Sequence, residues 1–176
     1  MKHYWVACLM ILALSSHSNS MTVLPMNLDQ MTQDSGKIIH GKVVGIREEI
    51  HETLGIPVSV ISVQIEECLK GDATGQVQFR QVKGMGLPVY RQGDEIVIFL
   101  YPESKVGVTS PVGGDQGLFK VMATQEGKKI KNLYPHLFEK ETLEPRPRSN
   151  LRRTVQLDFL KARIRTATFS GSRNLR

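Results

Sequence analysis

The chain has 176 residues, 40% hydrophobic and 6% aromatic, with 23 Lys and Arg against 17 Asp and Glu and two cysteines. Its length suits one domain with its own core, and a single cysteine beyond the leader excludes an internal disulfide. Charge is uneven: residues 21–145 carry 13 bases against 16 acids, whereas residues 146–176 carry 9 against Asp158 alone, so the basic character belongs to the tail.

The first twenty residues read as a secretory signal peptide. Lys2 gives a positive start, Val6 to Leu14 form a nine-residue apolar run, and Ser18-Asn19-Ser20 offers small residues for cleavage before Met21. Cleavage after Ser18 fits as well. Nine apolar residues span about half of the ~20 that a bilayer needs, and the apolar stretch before Cys8 is too short for a lipoprotein. The expected locale is therefore periplasmic or secreted, with no transmembrane segment after signal cleavage.

Residues 27–36 predict one or two helical turns capped by Asn27, with Leu28 and Met31 facing inward. Strands follow at 37–46, 58–71, 76–82, 94–101, 117–124 and 128–134. Ile61, Val63 and Ile65 alternate against Ser62, Gln64 and Glu66, the pattern of a half-buried strand. The run "DEIVIFLY" is apolar on both faces and reads as central. Glu126-Gly127 marks a hairpin turn, and Gly71, Gly93 and the glycines of "PVGGDQG" (111–117) mark further reversals. Short strands at this spacing argue for a mainly β fold, a small antiparallel OB-like barrel, or a sandwich. Pro145 and Pro147 read as a stiff connector. After it, residues 149–167 read as an amphipathic helix capped by Ser149 or Asn150, with Leu151, Val155, Phe159 or Leu160, and Ile164 at helical spacing. The organisation is thus a signal peptide (1–20), an OB-like β domain (21–145) and a basic C-terminal helix and tail (146–176).

Catalytic motifs are not evident. The glycine stretch lacks the Gly-Lys-Ser/Thr ending and the following helix of a phosphate loop, so it reads as a turn into a strand. His40, His51 and His136 are isolated from one another, without the spacing of a metal site. Cys68 reads as a small buried thiol at a strand end. Glu66-Glu67 and Glu48-Glu49 are neighbours whose side chains diverge in an extended chain, and no Gly-x-Ser-x-Gly elbow is present. Catalytic, cofactor and metal residues are therefore all expected to be none. Arg152, Arg153, Lys161, Arg163 and Arg165 form a basic set that could either sit in water beside a packed apolar stripe or contact an anionic surface. Export makes nucleic acid an unexpected partner.

The order of a short helix, "SGKIIHGKVVGI", "VSVISVQIEECLKG" and "GDEIVIFLYP" resembles the netrin-like modules of the five-stranded OB barrel, which include the tissue inhibitors of metalloproteinases. Cys68-Leu69-Lys70-Gly71 stands where those modules have a Leu-Lys-Gly-type strand end. The chain is also similar to exported bacterial proteins with this layout and a Gln-Gly-x-Phe segment, here Gln116 to Phe119. The resemblance spans about residues 27–134. The inhibitors bind a protease's zinc through an N-terminal cysteine, which a mature chain starting near Met21 lacks, so no functional residue carries over. The expected function is an exported non-catalytic binding or adaptor module of the envelope, contacting an envelope protein or an anionic surface. The alternatives are a netrin-like protease inhibitor or protease-associated protein, and a small hydrolase whose residues meet only in the fold.

Overall fold

A computed structural model describes residues 24–84, 86–131, 137 and 154–173. The expected signal peptide, its cleavage site and the expected 145–147 connector lie outside these residues.

Chain order explains the architecture. Helix α1 (Leu28–Asp34) is capped by Asn27, whose side chain accepts the Gln30 N–H at 2.7 Å, and it buries Leu28 and Met31 as expected. Its C-terminal carbonyls, those of Thr32 and Gln33, accept from the Lys70 ammonium at 2.6 and 3.0 Å, which ties the helix to the end of a strand. Strands β1 (Lys37–Ile50), β2 (Pro57–Lys70), β3 (Gln76–Val82), β4 (Glu95–Leu100), β5 (Leu118–Thr124), β6 (Gly127–Lys131) and β7 (Thr154–Gln156) follow, and helix α2 (Leu157–Arg173) closes the chain. All seven strands form one antiparallel sheet in the order β3-β2-β1-β4-β5-β6-β7. The mainly β expectation holds. A closed barrel is not seen among the described residues. The chain after β4 curls back toward β3, but the two meet through a single bridge, Arg80 with Val108.

Both faces of the sheet are apolar, and β4 shows why. Val97 and Phe99 join one cluster with Leu28, Met31, Phe119, Ile130, Leu157, Leu160 and Ile164, beneath the two helices. Ile96, Ile98 and Leu100 join the opposite cluster with Ile39, Val43, Ile61, Val63, Phe79 and Tyr90. A strand buried on two sides must be apolar throughout, which is what "DEIVIFLY" encodes. β1 departs from its expected alternation. Register shifts fall between Ile38 and Ile39, between His40 and Gly41, and between Val43 and Gly45, so that Ile38 to Gly41 are buried consecutively.

The C-terminal helix corrects the sequence reading. It begins at Leu157, eight residues later than expected, because Thr154 and Val155 extend as β7 and pair with Lys131 and Ile130. β-Branched residues are stiff and favour the extended form, and here they cover the edge of β6. The proposed caps Ser149 and Asn150 lie outside the described residues.

Candidate functional site

The glycine stretch is a turn, as its sequence implied. Gly113 and Gly114 both hold φ of 64°, a left-handed conformation that side chains rarely adopt, and a short 3₁₀ turn at Gly114–Gly117 leads straight into β5. Within it Gln116 is almost wholly buried. Its Oε1 accepts the Met26 N–H at 3.1 Å, and its Nε2 donates to the Leu24 carbonyl at 2.9 Å, so the turn anchors the chain ahead of α1. No local pattern signals a contact that spans about ninety residues.

A second polar constellation was not anticipated. His40 is only 2% exposed, and its Nε2 lies 2.7 Å from Glu95 Oε1 and 3.6 Å from Glu66 Oε2. Lys128 Nζ contacts the same two carboxylates at 2.7 and 3.4 Å. Four residues from β1, β2, β4 and β6 thus converge. The donor atoms of His40, Glu66 and Glu95 lie within 4.8 Å of one another, near enough to share a cation, and the Lys128 ammonium is the cation that sits on them. Burial pushes the Glu95 carboxyl up, but hydrogen bonds from Lys128 and His40 outweigh it and hold Glu95 below its ordinary value. A depressed carboxylate contributes stability that is present above the unfolded value, about 4.3, and lost as pH falls through the folded one. Unfolding midpoints should therefore drop with pH below about 4.3 and drop less steeply in Glu95→Gln, which forfeits about 1 kcal/mol of the neutral-pH stability. Equal slopes in the two proteins would contradict this.

The third feature is the end of the β1–β2 hairpin. Pairing of β1 with β4 stops at Lys42, so Gly45 to Ile50 pair with β2 alone, which is backed there by β3, and form an edge of the sheet. His51 fixes the tip. Its Nδ1 accepts the N–H groups of Thr53 and Leu54 at 3.2 and 3.3 Å, and its Nε2 donates to the Val106 carbonyl at 2.8 Å. The loop is further closed by His51 N–H to Ile56 carbonyl at 2.9 Å and Gly55 N–H to His51 carbonyl at 2.8 Å. Yet the side chains around this buried histidine face solvent: Ile50 is 63% exposed, and Leu54, Ile56 and Val106 are also exposed. Ile50 and Val106 border a hollow of about 550 Å³ whose polar wall includes Arg47, Glu49 and Arg80. Glu49 takes Arg80 Nε at 2.8 Å and Arg47 at 2.9 Å, and the Arg80 hydrogen bond leads in holding its carboxyl below the ordinary value.

The sequence-derived basic set is only partly described. Arg152 and Arg153 lie outside the described residues. On α2, Lys161 Nζ lies 2.8 Å from Glu67, Arg165 pairs with the same carboxylate, and Arg163 stands 3.7 Å from Asp29. These pairs join α2 to β2 and α1, the packing arrangement weighed against surface contact. Glu66 and Glu67 diverge to opposite sides as expected, one to His40 and Lys128, the other to α2. Cys68 is half-buried, and its thiol donates to the Lys70 and Gly71 carbonyls at 3.3 and 3.5 Å. No protein-family model and no curated protein matches the chain.

Proposed function

We propose that the protein is an exported, non-catalytic binding module of the cell envelope, periplasmic or secreted, that presents the end of its β1–β2 hairpin to a protein partner. One observation carries this reading. Ile50, Leu54, Ile56 and Val106 are exposed around a histidine whose three hydrogen bonds immobilise the backbone beneath them. Clustered apolar side chains on a fixed surface lose water on association at little entropic cost, which is how interaction patches are built. Arg47, Glu49 and Arg80 supply a polar rim beside them. Export rests on Lys2, the apolar run from Val6 to Leu14 and the Ser18-Asn19-Ser20 cleavage pattern.

The OB-like, netrin-like description of the fold belongs to the same proposal. It is supported by a bulged β1 shared between β2 and β4 and by a chain that curls from β4 back to β3. The anionic-surface role of Arg152, Arg153, Lys161, Arg163 and Arg165 is a lesser part of the reading, since Lys161 and Arg165 would have to leave Glu67 to take it up.

The test is affinity capture from envelope extract with the wild-type protein and with an Ile50→Glu, Leu54→Glu double variant. The wild type should retain a discrete partner, and the variant should lose it by at least about thirtyfold, the cost of removing a central apolar anchor. Both proteins should melt alike, because the two side chains are exposed. Equal capture by both would refute the hairpin as the contact. A captured protease that is slowed on titration would turn the reading to the inhibitor alternative.

A further inference from the structure

Beside the glycine turn lies a second hollow, separate from the hairpin end, with a volume of about 330 Å³. Its charge is the informative part. Lys120 of β5 and Lys131 of β6 are direct cross-strand partners, so two ammonium groups stand side by side on the same face of the sheet. Like charges placed directly opposite destabilise a strand pair unless something answers them. Asp94 answers Lys120, at 2.6 Å. Lys131 and the neighbouring Arg91 have no carboxylate within ion-pairing distance among the described residues. Asp115 also borders the groove, but burial pushes its carboxyl up, and it bonds to neither cation. Among the described residues, two cations of a concave site are thus without a carboxylate partner.

The remaining lining is apolar, from Pro88, Val89 and Leu118, with Val89 79% exposed. A volume near 330 Å³ falls at the small end of ligand pockets, roughly 300–1,000 Å³, enough for one compact molecule. We propose that this groove binds a small anionic amphiphile. Its carboxylate or phosphate group sits on Lys131 and Arg91, and its short apolar body lies over Val89, Pro88 and Leu118. Asp115 faces the same space and opposes the bound anion.

Calorimetric titration of the full chain with octanoate and, in parallel, with inorganic phosphate tests this. Octanoate should bind saturably and at least about tenfold more tightly than phosphate, which has no apolar body to place. Arg91→Ala and Lys131→Thr should each weaken octanoate by about tenfold, since each removes a charge-assisted contact, while Asp115→Asn should strengthen it. Lys131→Thr should also raise the melting point of the free protein by relieving the lysine pair, and saturating octanoate should erase that advantage. Absence of saturable octanoate binding, phosphate binding as tightly as octanoate, or octanoate affinity unchanged in Arg91→Ala and Lys131→Thr would each overturn the proposal. None of these outcomes depends on the hairpin, so the Ile50→Glu, Leu54→Glu variant should bind octanoate normally.

Discussion

Gly117→Ala is expected to destabilise the protein by about 3 kcal/mol, the upper end of what overpacking a filled site costs. A β-carbon there would lie 2.4 Å from the Val112 carbonyl oxygen, 2.9 Å from the Val112 nitrogen and 3.2 Å from the Phe99 carbonyl oxygen. All three atoms are backbone, and no rotamer change relieves the clash. The Val112 N–H is itself bonded to the Phe99 carbonyl at 2.8 Å, so the turn cannot back away without breaking its link to β4. Against a total stability of about 5–15 kcal/mol, that loss should lower the melting point by on the order of 10 °C. Gly75→Ala is the useful control: a β-carbon there meets no atom within 4 Å, and only its φ of 68° works against it. A Gly117→Ala protein that melts with wild type would contradict the packing described for the turn.

Leu160→Ala should be comparably severe, costing about 2–5 kcal/mol, whereas Phe159→Ser should cost clearly less, on the order of 1 kcal/mol. Leu160 is fully buried in the cluster with Met31, Phe99 and Phe119, where the two rings sit 5.5 Å apart, and its removal leaves a cavity among them. Phe159, one residue away, is 44% exposed. Denaturant unfolding monitored by circular dichroism reads both variants. Near-equal stabilities would mean that α2 is an appended tail, not part of the core beneath the sheet.

Much of the fold was legible locally. The doubly apolar β4, the Asn27 cap and the Glu126-Gly127 reversal each follow from residue type and spacing, and each appears where the sequence puts it. The phases of β1 and α2 were not legible. Bulges in β1 are set by how it meets β2 and β4 at once, and the start of α2 is set by the demand of the β6 edge for a partner. Neither demand is written in the segment itself. The polar sites were hidden for the same reason. His40, Glu66, Glu95 and Lys128 come from four strands, and no spacing rule links them until the sheet order is known. His51 looked isolated because its partners are backbone groups, including the Val106 carbonyl 55 residues away. A signal was present at the hairpin: Ile50, Leu54 and Ile56 sit in a loop-like stretch where polar residues would be ordinary.

Site-specific photocrosslinking tests the binding reading most directly. A photoreactive side chain is placed singly at positions 50, 54, 159 or 169 of the full chain, all of them exposed. Irradiation in the intact envelope should give one discrete adduct from positions 50 and 54 and none from 159 and 169 on α2. An adduct from the helix positions alone, or no adduct from 50 and 54, would contradict the assignment of the hairpin end as the contact surface.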